Sequence, residues 1–412
     1  MTALKSSICL SLLLFSAACS FWNEPSRREV AEIKRTLDQQ KPGEFVRQIY
    51  EHRDFRPVWI ARGRKLPKLE QFFQLVKDRS HGLQAERFGV PELNQDQPAN
   101  PIQFDIDVTS ALVRYASALA RQDVDWKKEL QDAIESNSIA QLADRLAPIH
   151  ADYVRLSAAL INASPEDREQ IELNMNRWRK VPDDLGARHL RINVAAFELE
   201  VHDGDEIPLR MKVVVGDNEN KTPLFSSEMK YVVFSPYWNI PESILTKETL
   251  PKIRANPEYA IRQNLEVVRV SGKRVEVIDP EDVDWDKVGE SDIQLRQRPG
   301  SRNSLGLVKF IFPNRHNVYL HDTPADNLFD RLTRNFSHGC IRVEKPQELA
   351  EYVLRDQQEW TPERIRTAMH AGAEKHVSLK EALPVHILYF TAWADAGGVL
   401  HLADDVYGYD TP

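Results

Sequence analysis

The sequence predicts an α+β multidomain protein, with a mainly helical N-terminal scaffold followed by a mainly-β domain that carries an inserted helical cap. Three observations predict it. Apolar residues recur at spacings of three and four from about residue 25 to residue 160, the period of helices packed on one face. Beyond Val181 the period drops to two, with turn residues between the apolar runs. Inside that β region, Pro241 to Asn264 returns to helical spacing and reads as an insertion over a β core. The chain has 412 residues, enough for more than one sizeable core.

The N-terminus comes first. Met1 to Ser7 carries one lysine and no acid, Ile8 to Phe15 is a short apolar run, and the small residues Ser16-Ala17-Ala18 precede Cys19. That is the tripartite pattern of a secretory signal, expected over 1–18. The run is too short to span a bilayer, and no later segment reaches the roughly 20 apolar residues that a membrane helix needs. The polar stretch Asn23 to Arg28 follows at once, which suits a cleaved signal rather than the first helix of a domain. Cys19 directly after small residues resembles a bacterial lipoprotein acceptor site. Ser16 stands where that motif usually has leucine, and Ser16-x-Ala18 also suits ordinary signal peptidase; lipidation of Cys19, as first mature residue, is the expectation taken forward.

The helical scaffold is expected over 25–163. Arg27 to Asp38, Glu44 to His52, Lys68 to Lys77, Val108 to Ala120, Gln131 to Ile134, Ile139 to Leu146 and Tyr153 to Ile161 all carry the helical period, and Pro91 to Pro101 interrupts them. Ser164-Pro165-Glu166-Asp167 is an N-cap followed by proline and acids, opening a linker helix within 164–185. Strands are expected at Leu190 to Glu200, Leu209 to Val215, Met229 to Phe234, Leu307 to Phe312 and Val318 to His321, with a hairpin turn at His202-Asp203-Gly204-Asp205. The cap insertion spans about 241–300.

Composition excludes some functions. The formal net charge is -8 with both signs mixed, and there is no basic tract, zinc-finger spacing or phosphate-cradling Gly-rich loop, so nucleic acid is not an expected partner. The chain has three cysteines. Cys9 leaves with the signal and Cys19 lies at the mature terminus, so Cys340 has no partner for a structural disulfide. A solitary cysteine in an exported protein invites a reactive role.

Its neighbourhood supports that. Ser337-His338-Gly339-Cys340 places a histidine two residues before the thiol, and His321 lies seventeen residues before His338 (338 − 321), at the end of the strand Val318-Tyr319-Leu320. Either imidazole can accept a thiol proton, His321 from a rigid strand end and His338 because residues i and i+2 share a face of extended chain. Spacing does not choose between them. Gly339 permits close approach of main chain to substrate, leaving its N–H and that of Cys340 for an oxyanion. Ser337 can orient a neighbour by hydrogen bonding or contact substrate, and Arg342 offers a fork for a carboxylate. Two other readings stand beside nucleophilic catalysis: His321, His338 and Cys340 as three ligands of a catalytic zinc, or ordinary polar residues near a turn.

The run Ser337-His338-Gly339-Cys340-Ile341-Arg342, with His321 upstream, resembles the signature of the L,D-transpeptidases, cysteine enzymes that cross-link bacterial peptidoglycan. "NMNRWRKVPDDLG" (Asn174 to Gly186), "VVVGDNENKTPLFSSEMKYVVFSPYWNIPESI" (Val213 to Ile244) and "LRQRPGSRNSLGLVKFIFPNRHNVYLHDTP" (Leu295 to Pro324) are similar to the larger Gram-negative branch, which carries a helical scaffold and a capping subdomain. The likeness is strong over about 170–405 and extends weakly to "HRDFRPVWI" (His52 to Ile60). Members of that branch commonly hold a three-helix peptidoglycan-binding domain between scaffold and catalytic domain. Here Tyr153 to Ile161 leads within a few residues to Ser164, so targeting by such a module is not expected.

The resemblance implies a catalytic domain over 186–405 and a role for each residue. Cys340 would be the nucleophile, His321 its base, and the main-chain carbonyl of Asp322 the group orienting that base. His338 would support the oxyanion site beside Gly339, and Arg342 would order the site or bind a stem carboxylate. Tyr237, Trp238 and Asn239 would lie where cap meets cleft, although packing and turn-making explain them as well as substrate contact does. The implied reaction is a two-step acyl transfer between peptidoglycan stem tetrapeptides through a thioester, giving 3-3 cross-links, with no metal or organic cofactor. The implied location is the periplasm, with an outer-membrane lipid anchor on Cys19. Cell-wall synthesis proteins are the partners expected for the helical scaffold. A cell-wall scaffolding protein without catalysis is the contrasting reading, against which the intact Cys340, His321, His338 and Gly339 weigh.

Overall fold

The computed structural model describes residues 25–90, 98–271, 274–279, 283, 285, 288 and 293–410. The signal segment, Cys19 and most of the Pro91 to Pro101 interruption lie outside the described residues. The chain divides into two compact units, one of 1–183 with 392–402, the other of 184–391 with 403–412.

The first unit is helical. Its helices are Arg27–Gln40, Glu44–His52, Pro67–Lys77, Pro101–Leu119, Trp126–Glu135, Leu142–Leu146, Ala151–Ile161 and Pro165–Trp178. Their starts follow capping chemistry: Ser26 and Glu29 form a reciprocal capping box, and the Ser164 hydroxyl accepts the Asp167 N–H at 3.1 Å ahead of Pro165. A buried carboxylate organises the centre. Asp105, on the longest of these helices, accepts main-chain N–H bonds from Val58 (2.9 Å), Trp59 (2.7 Å) and Ile60 (2.9 Å), and the Tyr50 hydroxyl at 2.7 Å. Burial pushes this carboxyl up while the four donors pull it back. They fix the segment after "HRDFRP", which forms a two-residue ladder of β1 (Ile60–Ala61) on β2 (Arg64–Lys65).

The second unit holds a nine-stranded sheet. Its strands are β3 (Arg188–Asn193), β4 (Glu198–Asp203), β5 (Glu206–Gly216), β6 (Phe225–Phe234), β11 (Val308–Ile311), β12 (Leu320–His321), β13 (Asn335–Ser337), β14 (Ile341–Val343) and β15 (Lys375–Leu388). The order is β13-β5-β14-β12-β11-β6-β15-β3-β4, and a further β4–β5 pairing closes the sheet on itself. Closure follows from the length of β5, whose first half pairs with β4 and whose second half pairs with β14 and β13. A closed sheet has no exposed ladder along that seam. Leu190, Ile192, Val213, Val215, Val232, Phe234, Val308, Phe310 and Leu320 fill it. Helices Pro346–Leu354 and Pro362–Met369 pack against this core through Leu349, Val353, Leu354 and Ile365, with Trp360 stacked on Phe234.

Two expectations need correcting. Leu190 to Glu200 is not one strand: it breaks at 194–197, where Phe197 takes φ +54° and its N–H bonds the Val194 carbonyl at 3.2 Å. The buried Phe197 ring lies beneath the Arg334 guanidinium at 5.3 Å, which stabilises a turn that Ala195-Ala196 does not announce. The cap is helical over 242–262, as read, but the rest of it is a sheet. β7 (Trp238–Asn239), β8 (Leu265–Ser271), β9 (Arg274–Ile278) and β10 (Ile293–Gln297) run antiparallel in the order β7-β10-β8-β9. The alternation in "LEVVRVS" and "RVEVI" accounts for it. β8 and β10 bury Val267 and Leu295 against Ile240, Leu250 and Ile253 of the helical part.

Finally β16 (Ala392–Ala394) and β17 (Leu400–Leu402) form a hairpin that belongs to the helical unit, packed on helices Ala151–Ile161 and Pro165–Trp178.

Candidate active site

The site grows from two short parallel strands. β12 and β14 pair with Leu320 opposite Ile341 and His321 opposite Arg342. Cys340 is the residue immediately before β14, and the Ile341 N–H bonds the Tyr319 carbonyl at 3.1 Å. The thiol and His321 therefore arise on neighbouring strands of a closed sheet, the kind of rigid support a reacting pair needs.

His321 is 4% exposed, and its Nδ1 lies 2.5 Å from the main-chain carbonyl of Asp322. A carbonyl only accepts, so Nδ1 carries the proton and Nε2 carries the lone pair. Burial, with the Arg342 guanidinium and the Lys309 ammonium nearby, holds the imidazole down at about 3, so it is neutral at pH 7. The carbonyl is itself anchored. The Asp322 carboxylate accepts the Leu307 N–H and the Thr323 N–H, each at 2.7 Å. Gly306 makes room for it: at φ +60°, a Cβ there would lie 2.3 Å from that carboxylate.

Burial pushes the Cys340 thiol up, partly offset by hydrogen bonds from Tyr319 and by the charge of Arg342. The thiol thus stays mainly protonated at neutral pH and needs a base. It lies 3.8 Å from the Asn317 carbonyl, and no thiol–imidazole bond is present among the described residues. Such bonds commonly tighten only when substrate is bound.

Ser337 is 2% exposed, and its hydroxyl is spent within the loop: it donates to the Cys340 carbonyl at 2.5 Å and accepts the Gly339 N–H at 3.2 Å. The expected substrate role of Ser337 gives way to that of a loop clamp, and the Gly339 N–H is not open to an oxyanion. Gly339, at φ +106°, accepts the Thr222 hydroxyl on its carbonyl at 2.9 Å. The Cys340 N–H has no acceptor among the described residues. Tyr319, which sequence reasoning passed over, lines the same cleft and brings a second hydroxyl donor to it, and its phenol is pushed up by burial and by the neighbouring Cys340. The signal was there, because Tyr319 and His321 are i and i+2 of one extended segment and share a face.

A cleft of about 280 Å³ joins these groups to the cap. Trp238 lines it, with Cys340, His321, His338, Arg342 and Tyr319 on the sheet side. Tyr237 and Asn239 do not: Tyr237 stacks on Arg296 at 3.9 Å and gives its N–H to Glu374, and Asn239 pairs with Arg296 in the cap sheet. Arg342 forms no ion pair among the described residues, and its Nε is buried without a hydrogen-bond partner. His338 lines the cleft with Cys340, its Nε2 2.7 Å from the Glu248 carboxylate of the cap. Among the described residues no group of three His, Cys, Asp or Glu is placed to hold a metal ion, and no helix is long and apolar enough to cross a membrane.

Residues 187–378 match the YkuD family, described as the L,D-transpeptidase catalytic domain, and residues 44–160 match a family described as a scaffold domain. A Haemophilus influenzae protein named "Putative L,D-transpeptidase" is 28% identical over 395 residues, covering 90% of this chain and 79% of its own length. Among solved structures, an L,D-transpeptidase from Mycobacterium smegmatis shares 12% identity over 49% of this chain and 58% of its own, with a TM-score of 0.23. Mycobacterium tuberculosis L,D-transpeptidase 1 shares 13% over 49% and 61%, with a TM-score of 0.19.

Proposed function

Residues 187–378 belong to the L,D-transpeptidase catalytic family and residues 44–160 to the scaffold-domain family, and from that premise we propose that the chain forms 3-3 cross-links between peptidoglycan stems through a Cys340 thioester. The observation that carries the reading is the His321 tautomer: Nδ1–H is fixed on a buried carbonyl, which leaves Nε2 as a neutral base on the strand beside Cys340.

In the first step His321 Nε2 takes the thiol proton as Sγ attacks the carbonyl of the third stem residue. The Cys340 N–H and the Tyr319 hydroxyl face the oxygen as it gains charge. The C–N bond to the terminal D-alanine breaks, its nitrogen takes the proton from His321, and D-alanine leaves. The Arg342 guanidinium receives a stem carboxylate, the group it lacks in the free protein. In the second step the side-chain amine of a diaminopimelate on another stem attacks the thioester, the C–S bond breaks, and Cys340 is restored. Water as acceptor would make the same site an L,D-carboxypeptidase, and a protein lysine would attach that protein to the wall. The signal pattern over 1–18 and Cys19 support export to the periplasm with a lipid on Cys19 as outer-membrane anchor, and the helical unit is a docking module for cell-wall synthesis proteins.

The test is incubation with a disaccharide-tetrapeptide, with protein and products read by mass spectrometry and Cys340→Ala as control. Loss of D-alanine with a dimeric product supports transpeptidation; loss without dimer supports the carboxypeptidase. Neither adduct nor product from folded protein would leave the non-catalytic scaffolding reading.

A further inference from the structure

Accepting the acyl-transfer reading above, we propose that the two half-reactions use different bases, and that Glu248 and His338 together form the one that deprotonates the acceptor amine. The observation is the bond that crosses the cleft. Glu248 lies on the cap and His338 on the motif loop, ninety positions apart, and they meet at 2.7 Å. Both line the cleft, and the His338 side chain is 43% exposed, open to an incoming molecule. A carboxylate accepts only from N–H, so Nε2 holds a proton, and it is the tautomer with the lone pair on Nδ1 that can act as a base. A carboxylate–imidazole pair of this kind orients the ring and stabilises the imidazolium that forms when it takes a proton.

The local backbone is built around Glu248. Leu245–Thr249 is a π-helical turn, a rare distortion found mostly at functional sites, and Glu248 sits within it. Lys252, one turn on, lies 3.9 Å from the other Glu248 carboxylate oxygen. The remaining titratable groups lining the cleft are Tyr259, Tyr319, His321, Cys340 and Arg342. Of these His321 is the other imidazole, but it is 4% exposed and its Nδ1 is committed to Asp322. A thiol already inside the site suits His321, and an amine arriving from solvent suits His338.

The step balances as follows. The acceptor ammonium gives a proton to His338, and the freed amine nitrogen attacks the thioester carbonyl carbon to form the C–N bond. The C–S bond breaks with its electron pair on Sγ, which takes the second proton from that nitrogen, and the imidazolium returns its proton to solvent. His338 is catalytic here, and Glu248 is a positioning residue that acts through it.

The experiment prepares the acyl-enzyme on the whole protein with a disaccharide-tetrapeptide and follows its resolution by quenched mass spectrometry. Glu248→Gln and His338→Asn are compared with the unmodified protein, using two acceptors, a primary alkylamine that is protonated at neutral pH and hydroxylamine, which is not. Both variants should still accumulate acyl-enzyme. Each should lose about 100-fold in resolution by the alkylamine but no more than about 3-fold with hydroxylamine, the span that general-base catalysis supplies. Glu248→Asp should recover part of the loss, and the acid limb of the alkylamine rate against pH should disappear in His338→Asn. Wild-type resolution by Glu248→Gln, or equal losses with both acceptors, would overturn the proposal. Absence of any acyl-enzyme from the unmodified protein would instead overturn the acyl-transfer reading on which it rests.

Discussion

Replacing Gly306 by alanine should loosen the catalytic histidine from fifteen positions away, because the new methyl group and the Asp322 carboxylate would occupy the same space. The Cβ would sit 2.3 Å from the carboxylate, far inside van der Waals contact, at a backbone φ of +60°. The left-handed conformation alone costs a non-glycine residue about 1 kcal/mol. Moving the carboxylate breaks its bonds to the Leu307 and Thr323 N–H groups, each worth about 1.5 kcal/mol or more because the acceptor is charged. The sum is about 4 kcal/mol of local stability, and thus about a thousandfold faster exchange of the Leu307 amide. Hydrogen exchange by mass spectrometry on peptides covering 305–325 measures it. Asp322→Ala should cost about 3 kcal/mol alone by removing the same two bonds, and the double variant about 4 rather than 7. The methyl group then has room, so only the backbone strain is added. Additive losses in the double variant, within about 0.5 kcal/mol, would refute the claim that Gly306 acts through the carboxylate.

Other outcomes follow from the same geometry. His321, held at about 3, and His189, held at about 4, take up protons in the unfolded chain before they do in the folded one. Stability should therefore be complete above the ordinary imidazole range and fall as pH drops from there towards about 3; His321→Asn should flatten the slope of urea midpoint against pH, and an unchanged slope would contradict the burial argument. Tyr319→Phe should lower the rate of acyl-enzyme formation by about 100-fold, with substrate KM changed little, if its hydroxyl serves the oxyanion; a KM effect alone would make it a binding residue. Asp105→Asn turns one acceptor oxygen into a donor facing main-chain N–H groups and should cost about 3 kcal/mol, or roughly 10 °C in the melting of the helical unit. A shift under about 2 °C would mean that water replaces the lost bonds.

Much of this was legible in the sequence because local chemistry and tertiary packing agree. Most helices from Arg27 to Trp178 keep their apolar period and have limits close to those read, while Pro101–Leu119 and Trp126–Glu135 begin seven and five residues before the stretches read (108 − 101; 131 − 126), at the caps Asn100 and Asp125. The strands that fill the closed sheet alternate. β15 escaped the reading because "KHVSLKEALPVHIL" mixes helix formers with Pro384, and its conformation is decided by ladders to β6 on one side and β3 on the other. Cys340, His321, His338 and Arg342 were legible as a linear motif, and the structure places all four on one cleft. Glu248 was not, since nothing local marks a glutamate in a polar helix as the partner of a histidine ninety positions away. Ser337 was open to two readings, orienting a neighbour or contacting substrate, because a hydroxyl in a motif looks the same whether it faces a ligand or its own loop; the structure shows it bonded within the loop.

The hairpin at 392–402 imposes an order of assembly. Among the described residues the helical unit holds eight α-helices that precede residue 183 and a hairpin that is made more than two hundred residues later. The Arg155 guanidinium waits for the Ala394 carbonyl, 239 positions downstream and 3.1 Å away when it arrives. A ribosome that has finished the helices has not finished their unit, and the entropy of closing so long a loop becomes small only once the intervening sheet has folded. A chain stopped near residue 390 would keep every residue of the candidate site described above. The helical unit would be left with the faces of Ala151–Ile161 and Pro165–Trp178 that the hairpin covers turned to water, and the sheet unit would lose buried Tyr407, whose hydroxyl donates to the Gly216 carbonyl at 2.6 Å and accepts the Thr222 N–H at 3.1 Å.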